Sequence, residues 1–172
     1  QCKATDRVKR ATIIRIKTDN RRHSKMKNSI LLAIGLIVTA AAIALSDTLF
    51  EALYFDNEFS NEMYNSHLYF TNILIVAITA WGLAAIYYYI INSVSFSRWY
   101  HWLMVLAAAV VICPIASYFH ITGTMEEMQL NFEHQAFHFV LTEAFVEAAM
   151  FLIASFSIRW WSSNCRHTPF PE

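Results

Sequence analysis

Between Lys27 and Arg98 the chain has no lysine or arginine at all. It also has little glycine or proline, three of each in 172 residues, and no internal repeat or low-complexity segment is visible. Cysteine is equally sparse. Cys2, Cys113 and Cys165 form no Cys-x-x-Cys and offer no pair within one loop, which argues against a disulfide framework or a thiol–quinone relay.

What is present is apolar. The composition is 56% hydrophobic with a mean hydropathy of +0.35. That is too apolar for an ordinary soluble domain, and the chain is too short for two membrane domains. Apolar runs cover roughly residues 30–45, 68–91, 102–119 and 136–158. Each is near the ~20 residues that cross a bilayer. The expected fold is all-α: a polytopic membrane protein built as a bundle of four transmembrane helices. A soluble four-helix bundle is the competing reading, but runs this long lack the polar stripe of a surface helix.

Charge is balanced in sum and uneven in place. Ten of the thirteen Lys and Arg fall within the first 27 residues, and Arg98, Arg159 and Arg166 are the rest. Acids fill the first loop (Asp47, Glu51, Asp56, Glu58, Glu62) and the third (Glu126, Glu127, Glu133). The positive-inside bias then places both termini and the second loop in the cytoplasm of an integral cell-membrane protein. Residues 1–28 read as a basic cytoplasmic arm, 29–161 as the membrane domain and 162–172 as a cytoplasmic tail. The chain begins with Gln1 and its first methionine is Met26, so residues 1–25 read as an arm or as an untranslated extension, and not as a signal peptide. Such an arm meets anionic lipid of the bilayer, and no nucleic-acid partner is expected.

Small residues at 39–44 permit close helix contacts. Acids alternating with Leu, Phe and Tyr over 47–55 suggest an amphipathic turn or two along the outer interface. Tyr87, Tyr88, Tyr89, Trp99, Tyr100, Trp102, Trp160 and Trp161 read as an aromatic belt on the cytoplasmic side. Cys113-Pro114 reads as a kink in the third span.

Chemistry-bearing residues cluster at the opposite, outer ends. His67 opens the second span, His120 closes the third, and His134 and His138 stand at i, i+4 at the start of the fourth. Imidazoles at one depth of a small bundle suit a transition-metal or haem site. Histidines that merely prefer wet headgroups are the plain alternative. Glu143 and Glu147 lie inside the fourth span, also at i, i+4, with no basic partner in any span. They must be protonated or face protein, water or metal. At 100° per residue they point away from His134 and His138, which suggests that one of the two polar faces is covered by a neighbouring protomer.

Three stretches carry a family likeness. His67 is followed fourteen residues later by Trp81-Gly82-Leu83-Ala84-Ala85-Ile86-Tyr87. His120 precedes the pair Glu126-Glu127, and His134 follows that pair by seven residues. Phe137 and Ala144-Phe145 continue the pattern. Over roughly residues 30–160 the chain resembles the C-type member of the copper membrane monooxygenases, the ammonia and particulate methane monooxygenase family, in its short archaeal-type form.

The resemblance implies copper as cofactor, oxidation of a small substrate (ammonia or a short hydrocarbon) with O2, partner subunits of the A and B type, and a quinol as electron donor. Of the family's two metal sites, Asn-x3-His-x13-His aligns its imidazoles with His120 and His134, and its Asn position falls on Ala116 beside Ser117. The other, Asp-x3-His-x12-His, aligns its last ligand with His67 and its carboxylate near Glu51, while the middle histidine falls near Tyr54 or Phe55. Both sites are incomplete, and His138 is the natural substitute for the missing Asn. The ligand set implied is His120, His134, His138, His67 and Glu51. Two other readings stay open: a small membrane b-type cytochrome in quinone-linked electron transfer, and a non-catalytic assembly or scaffold subunit.

Overall fold

The computed structural model describes Met26, residues 28–93, Phe96, residues 98–165 and Thr168. Most of the basic arm and the last residues of the tail lie outside the described residues. Among the described residues every regular element is helical. In chain order they are α1 (Asn28–Ala44), α2 (Ser46–Leu53), α3 (Asn57–Asn65), α4 (Leu68–Ala85), α5 (Trp99–Glu127) and α6 (Glu133–Ile158). A π-helical stretch, Ile86–Ile91, continues α4, and a 3-10 turn, Arg159–Trp161, ends α6.

Three helices are long and apolar enough to cross a membrane: Leu68–Ile91, Trp99–Glu127 and Glu133–Trp161. A fourth span counts if α1 and α2, which meet at 75°, are taken together. The faces turned away from the bundle carry Ile78, Ile90, Phe119 and Phe145, each 70% exposed or more. Such a surface suits hydrocarbon better than water.

Aromatic and hydroxyl contacts set the helix register. α4 and α6 run parallel: Tyr69 meets Phe139 with ring centroids 6.0 Å apart near their starts, and the Tyr89 hydroxyl donates to the Ile158 carbonyl (3.3 Å) near their ends. α5 runs against both. Its Ser117 hydroxyl donates to Glu143 Oε1 (2.8 Å), and fifteen residues earlier Trp102 Nε1 donates to Ser155 Oγ (3.3 Å). α1 docks through its smallest residue. A Cβ added at Gly35 would collide with Ser157 Oγ of α6, so only glycine admits this approach. One turn on, Thr39 Oγ1 accepts from Trp81 Nε1 (3.1 Å) and touches Met150 Sδ (3.5 Å).

The first loop is mostly helix. Leu45 leaves helical geometry (φ −109°, ψ 23°) and turns α2 across the bundle end, as an amphipathic element there should lie. Asp56 caps α3, its side chain accepting from the Phe59 amide (3.2 Å). Phe50 of α2 and Phe59 of α3 then pack against Phe139, at 5.1 and 5.9 Å, and close the α4–α6 cleft at the end where both helices start.

Two expectations need correction. First, α5 does not stop at His120 but runs two more turns to Glu127, with Pro114 inside it. Thr122 and Thr124 return their hydroxyls to the carbonyls of Tyr118 (2.8 Å) and His120 (2.9 Å), so these polar residues cost the helix little. Second, the aromatic belt is partial. Tyr87, Tyr88 and Trp102 are buried, with the tyrosine hydroxyls donating to the carbonyls of Phe96 (2.9 Å) and Thr168 (3.1 Å). The start of the tail, at residues 162–165, packs against Asn92. Asn92 Oδ1 accepts from Ser162 Oγ (2.8 Å) and the Asn164 amide (3.0 Å), while its carbonyl accepts from Asn164 Nδ2 (2.7 Å). Cys165 is enclosed by this clasp, and burial pushes its thiol pKa up.

Candidate functional site

Two groups of polar side chains stand apart from the apolar packing, one at the rim of the bundle where α6 begins and one inside the bundle. At the rim, the first turns of α6 carry His134 and His138 on an exposed face. Their Nε2 atoms are 3.2 Å apart and their rings stand at 88°. One ring can donate a proton to the other at this distance. Two nitrogens held about 2.0–2.1 Å from one tetrahedral ion would lie about 3.3 Å apart, so the pair also fits two neighbouring ligands of one metal. Phe137 packs edge-on against His138 (5.9 Å). It also lines an apolar groove of about 750 Å³ between α5 and α6, with Pro114, Ile115, Phe119 and Leu141.

The other expected ligands do not join this pair. His67 occupies the left-handed region (φ 54°) between α3 and α4, where it is exposed. Its neighbour Ser66 reaches Met128 Sδ (3.5 Å) at the far end of α5, which places His67 on the same rim. Glu51 is half-buried on α2. His120 lies deeper, because α5 continues beyond it. Taking Ser117 and Glu143 as level, His120 rises about 4.5 Å toward the rim, against about 13.5 Å for His134. His120 Nε2 is buried and has no hydrogen-bond partner among the described residues. Among the described residues no three His, Cys, Asp or Glu side chains lie close enough to share a metal ion.

The second group lies inside the bundle. Glu143 and Glu147 of α6 are fully buried. Their face points away from the histidines, as the spacing requires, but α4 and α5 of the same chain cover it and no neighbouring protomer is needed. Ser117 of α5 binds Glu143. One turn inward, the Cys113 thiol interacts with Glu147, although it falls outside hydrogen-bond geometry. From α4 comes Asn72, also fully buried. It lies one turn inward from Tyr69, just as Glu143 lies one turn inward from Phe139, so the parallel register brings Asn72 to the depth of Glu143. Glu143 Oε2, both carboxylate oxygens of Glu147, and Asn72 Oδ1 and Nδ2 have no hydrogen-bond partner among the described residues.

No family model matches this chain, and neither a curated protein nor a solved structure is found to be similar to it. Function therefore has to be argued from these two groups alone. Asn72 and Cys113 did not stand out as functional in the sequence. A lone carboxamide five residues into an uncharged 24-residue span was the available signal for Asn72.

Proposed function

We propose that this chain is a four-span integral protein of the cell membrane, with both termini cytoplasmic, acting as a membrane subunit of a multi-subunit copper-dependent monooxygenase. Its partners in that reading are the A-type and B-type subunits and a quinol donor, and its substrate is ammonia or a short hydrocarbon. The observation that carries the reading is the His134–His138 pair, whose 3.2 Å separation and open face offer half of a copper site. Imidazole is a ligand type copper favours, and the exposed side leaves room for further ligands from a partner protein. Copper would supply O2 activation. The chain's own residues would hold the ion at the membrane boundary, and the adjoining groove offers a dry apolar approach for a small substrate.

The cytochrome reading gains nothing from this pair. That reading would pair His67 or His120 with His134 or His138 across helices, and the contact between two residues one turn apart on a single helix adds nothing to it.

The test is the copper content of the full membrane-assembled complex. A His134→Ala, His138→Ala double variant should lose most of the copper held by the wild type, while His67→Ala should retain it. A wild-type complex without copper, unchanged copper in the double variant, or a haem absorption spectrum would overturn the reading.

A further inference from the structure

Two carboxylates lie inside an apolar bundle with no positive side chain beside them among the described residues. Lys and Arg are absent from the whole stretch between Lys27 and Arg98, and α5 and α6 carry none between Arg98 and Arg159. The groups facing Glu143 and Glu147 from α5 are Ser117 and Cys113, and Asn72 of α4 is buried at about the depth of Glu143. Tyr69 and His120 lie about a turn further out on those helices. None is a fixed cation. Buried carboxylates without compensating charge are prohibitively costly, so the charge has to come from a ligand.

The placement of the oxygens says what kind of ligand. Glu143 Oε2, Glu147 Oε1 and Oε2, and Asn72 Oδ1 are all hydrogen-bond acceptors buried without a donor. They are joined by Ser117 Oγ, which already holds Glu143 Oε1. α5 and α6 thus gather oxygen ligands on two adjacent turns of one interior, and α4 places a buried carboxamide at the same depth. Soft metals favour thiolate and imidazole, and Cys113 does not group with the two carboxylates as a metal site. Hard, small cations favour oxygen.

We propose that this interior layer is a cation-binding site, with Glu143 and Glu147 as its charged ligands and Ser117 and Asn72 as neutral partners, taking up a proton or an alkali-metal ion. Binding is a simple association. A carboxylate oxygen forms an O–H bond with a proton taken from water, or coordinates the ion after its hydration shell is shed, and nothing is oxidised or reduced. The site stands on different residues from the His134–His138 pair, so neither reading depends on the other.

Infrared spectroscopy of the full chain in lipid nanodiscs, with sodium present or replaced by choline, separates the two ligands. A bound proton shows as the carbonyl stretch of a protonated carboxyl group at neutral pH in both media. That band should fall in Glu143→Gln and in Glu147→Gln and vanish in the double variant. A bound sodium ion shows as a sodium-dependent shift of the carboxylate bands together with a sodium-dependent rise in melting temperature. Affinity should then fall about tenfold or more in either glutamine variant, the scale of losing one charge-assisted contact. Glutamine keeps the shape of the side chain, and helicity by circular dichroism checks that each variant folds. Asn72→Leu should move the carbonyl band or weaken sodium binding. Two ionised carboxylates without any sodium response, or signals that survive in the double variant, would overturn the site. A spectrum indifferent to Asn72→Leu would remove Asn72 from it.

Discussion

His67 and Gln129 show how a single residue can carry a backbone burden that its side chain conceals. Both adopt left-handed backbone geometry, with φ 54° and 61°. Gln129 sits just past the end of α5, where the Leu130 amide returns to the Met125 carbonyl (2.9 Å) and the Gln129 amide to that of Glu126 (2.9 Å). This is the helix ending in which glycine is the usual residue. A side chain in that conformation costs about 1–2 kcal/mol, against about 0.5–1 kcal/mol of extra chain entropy for glycine. The first effect wins, so Gln129→Gly should stabilise the protein by about 0.5–1 kcal/mol in denaturant unfolding. His67 faces the same conformational demand. Its position between α3 and α4 therefore has a structural explanation whether or not its imidazole binds anything.

At the scale of helices, α1 is the element whose docking turns on one atom's worth of space. The Ser157 hydroxyl that fills the gap at Gly35 is itself held by the Ile153 carbonyl (2.6 Å), so it cannot swing aside without losing that bond. Gly35→Ala should cost about 1–3 kcal/mol. Adding Ser157→Gly should recover much of that loss in a double-mutant cycle, whereas simple additivity would show that α1 does not approach α6 here. The three long apolar helices were readable, because hydropathy alone marks runs of this length. The end of α5 was not, since Gln129 stands where glycine would have announced it. α3 escaped notice because its sequence is polar overall, although Asp56 as a cap with Phe59 and Met63 at i, i+4 was there to be read. Spacing placed the histidines and the glutamates of α6 on opposite faces. Which face turns inward depends on what α4 and α5 present to it, and no single-helix pattern contains that.

For the whole molecule, the charge distribution and the helix order make one joint prediction. With α1 and α5 rising and α4 and α6 descending, a cysteine replacing Glu58 should be labelled by an impermeant thiol reagent from outside intact cells. One replacing Arg98 should be labelled only after the membrane is opened. Labelling of the Arg98 position from outside would reverse or break the four-span topology. The same order has a consequence for how the protein is made. α4 finds its parallel partner in α6, two helices later in the chain. When α4 leaves the ribosome, neither Ser117 nor Glu143 has yet emerged, and Asn72 must wait in the insertion channel or against lipid without the polar layer of α5 and α6 at its depth. Lateral release of α4 into the bilayer is therefore best delayed until α6 has entered. A nascent chain halted after α5 should remain beside the insertion machinery instead of settling as a stable three-helix intermediate.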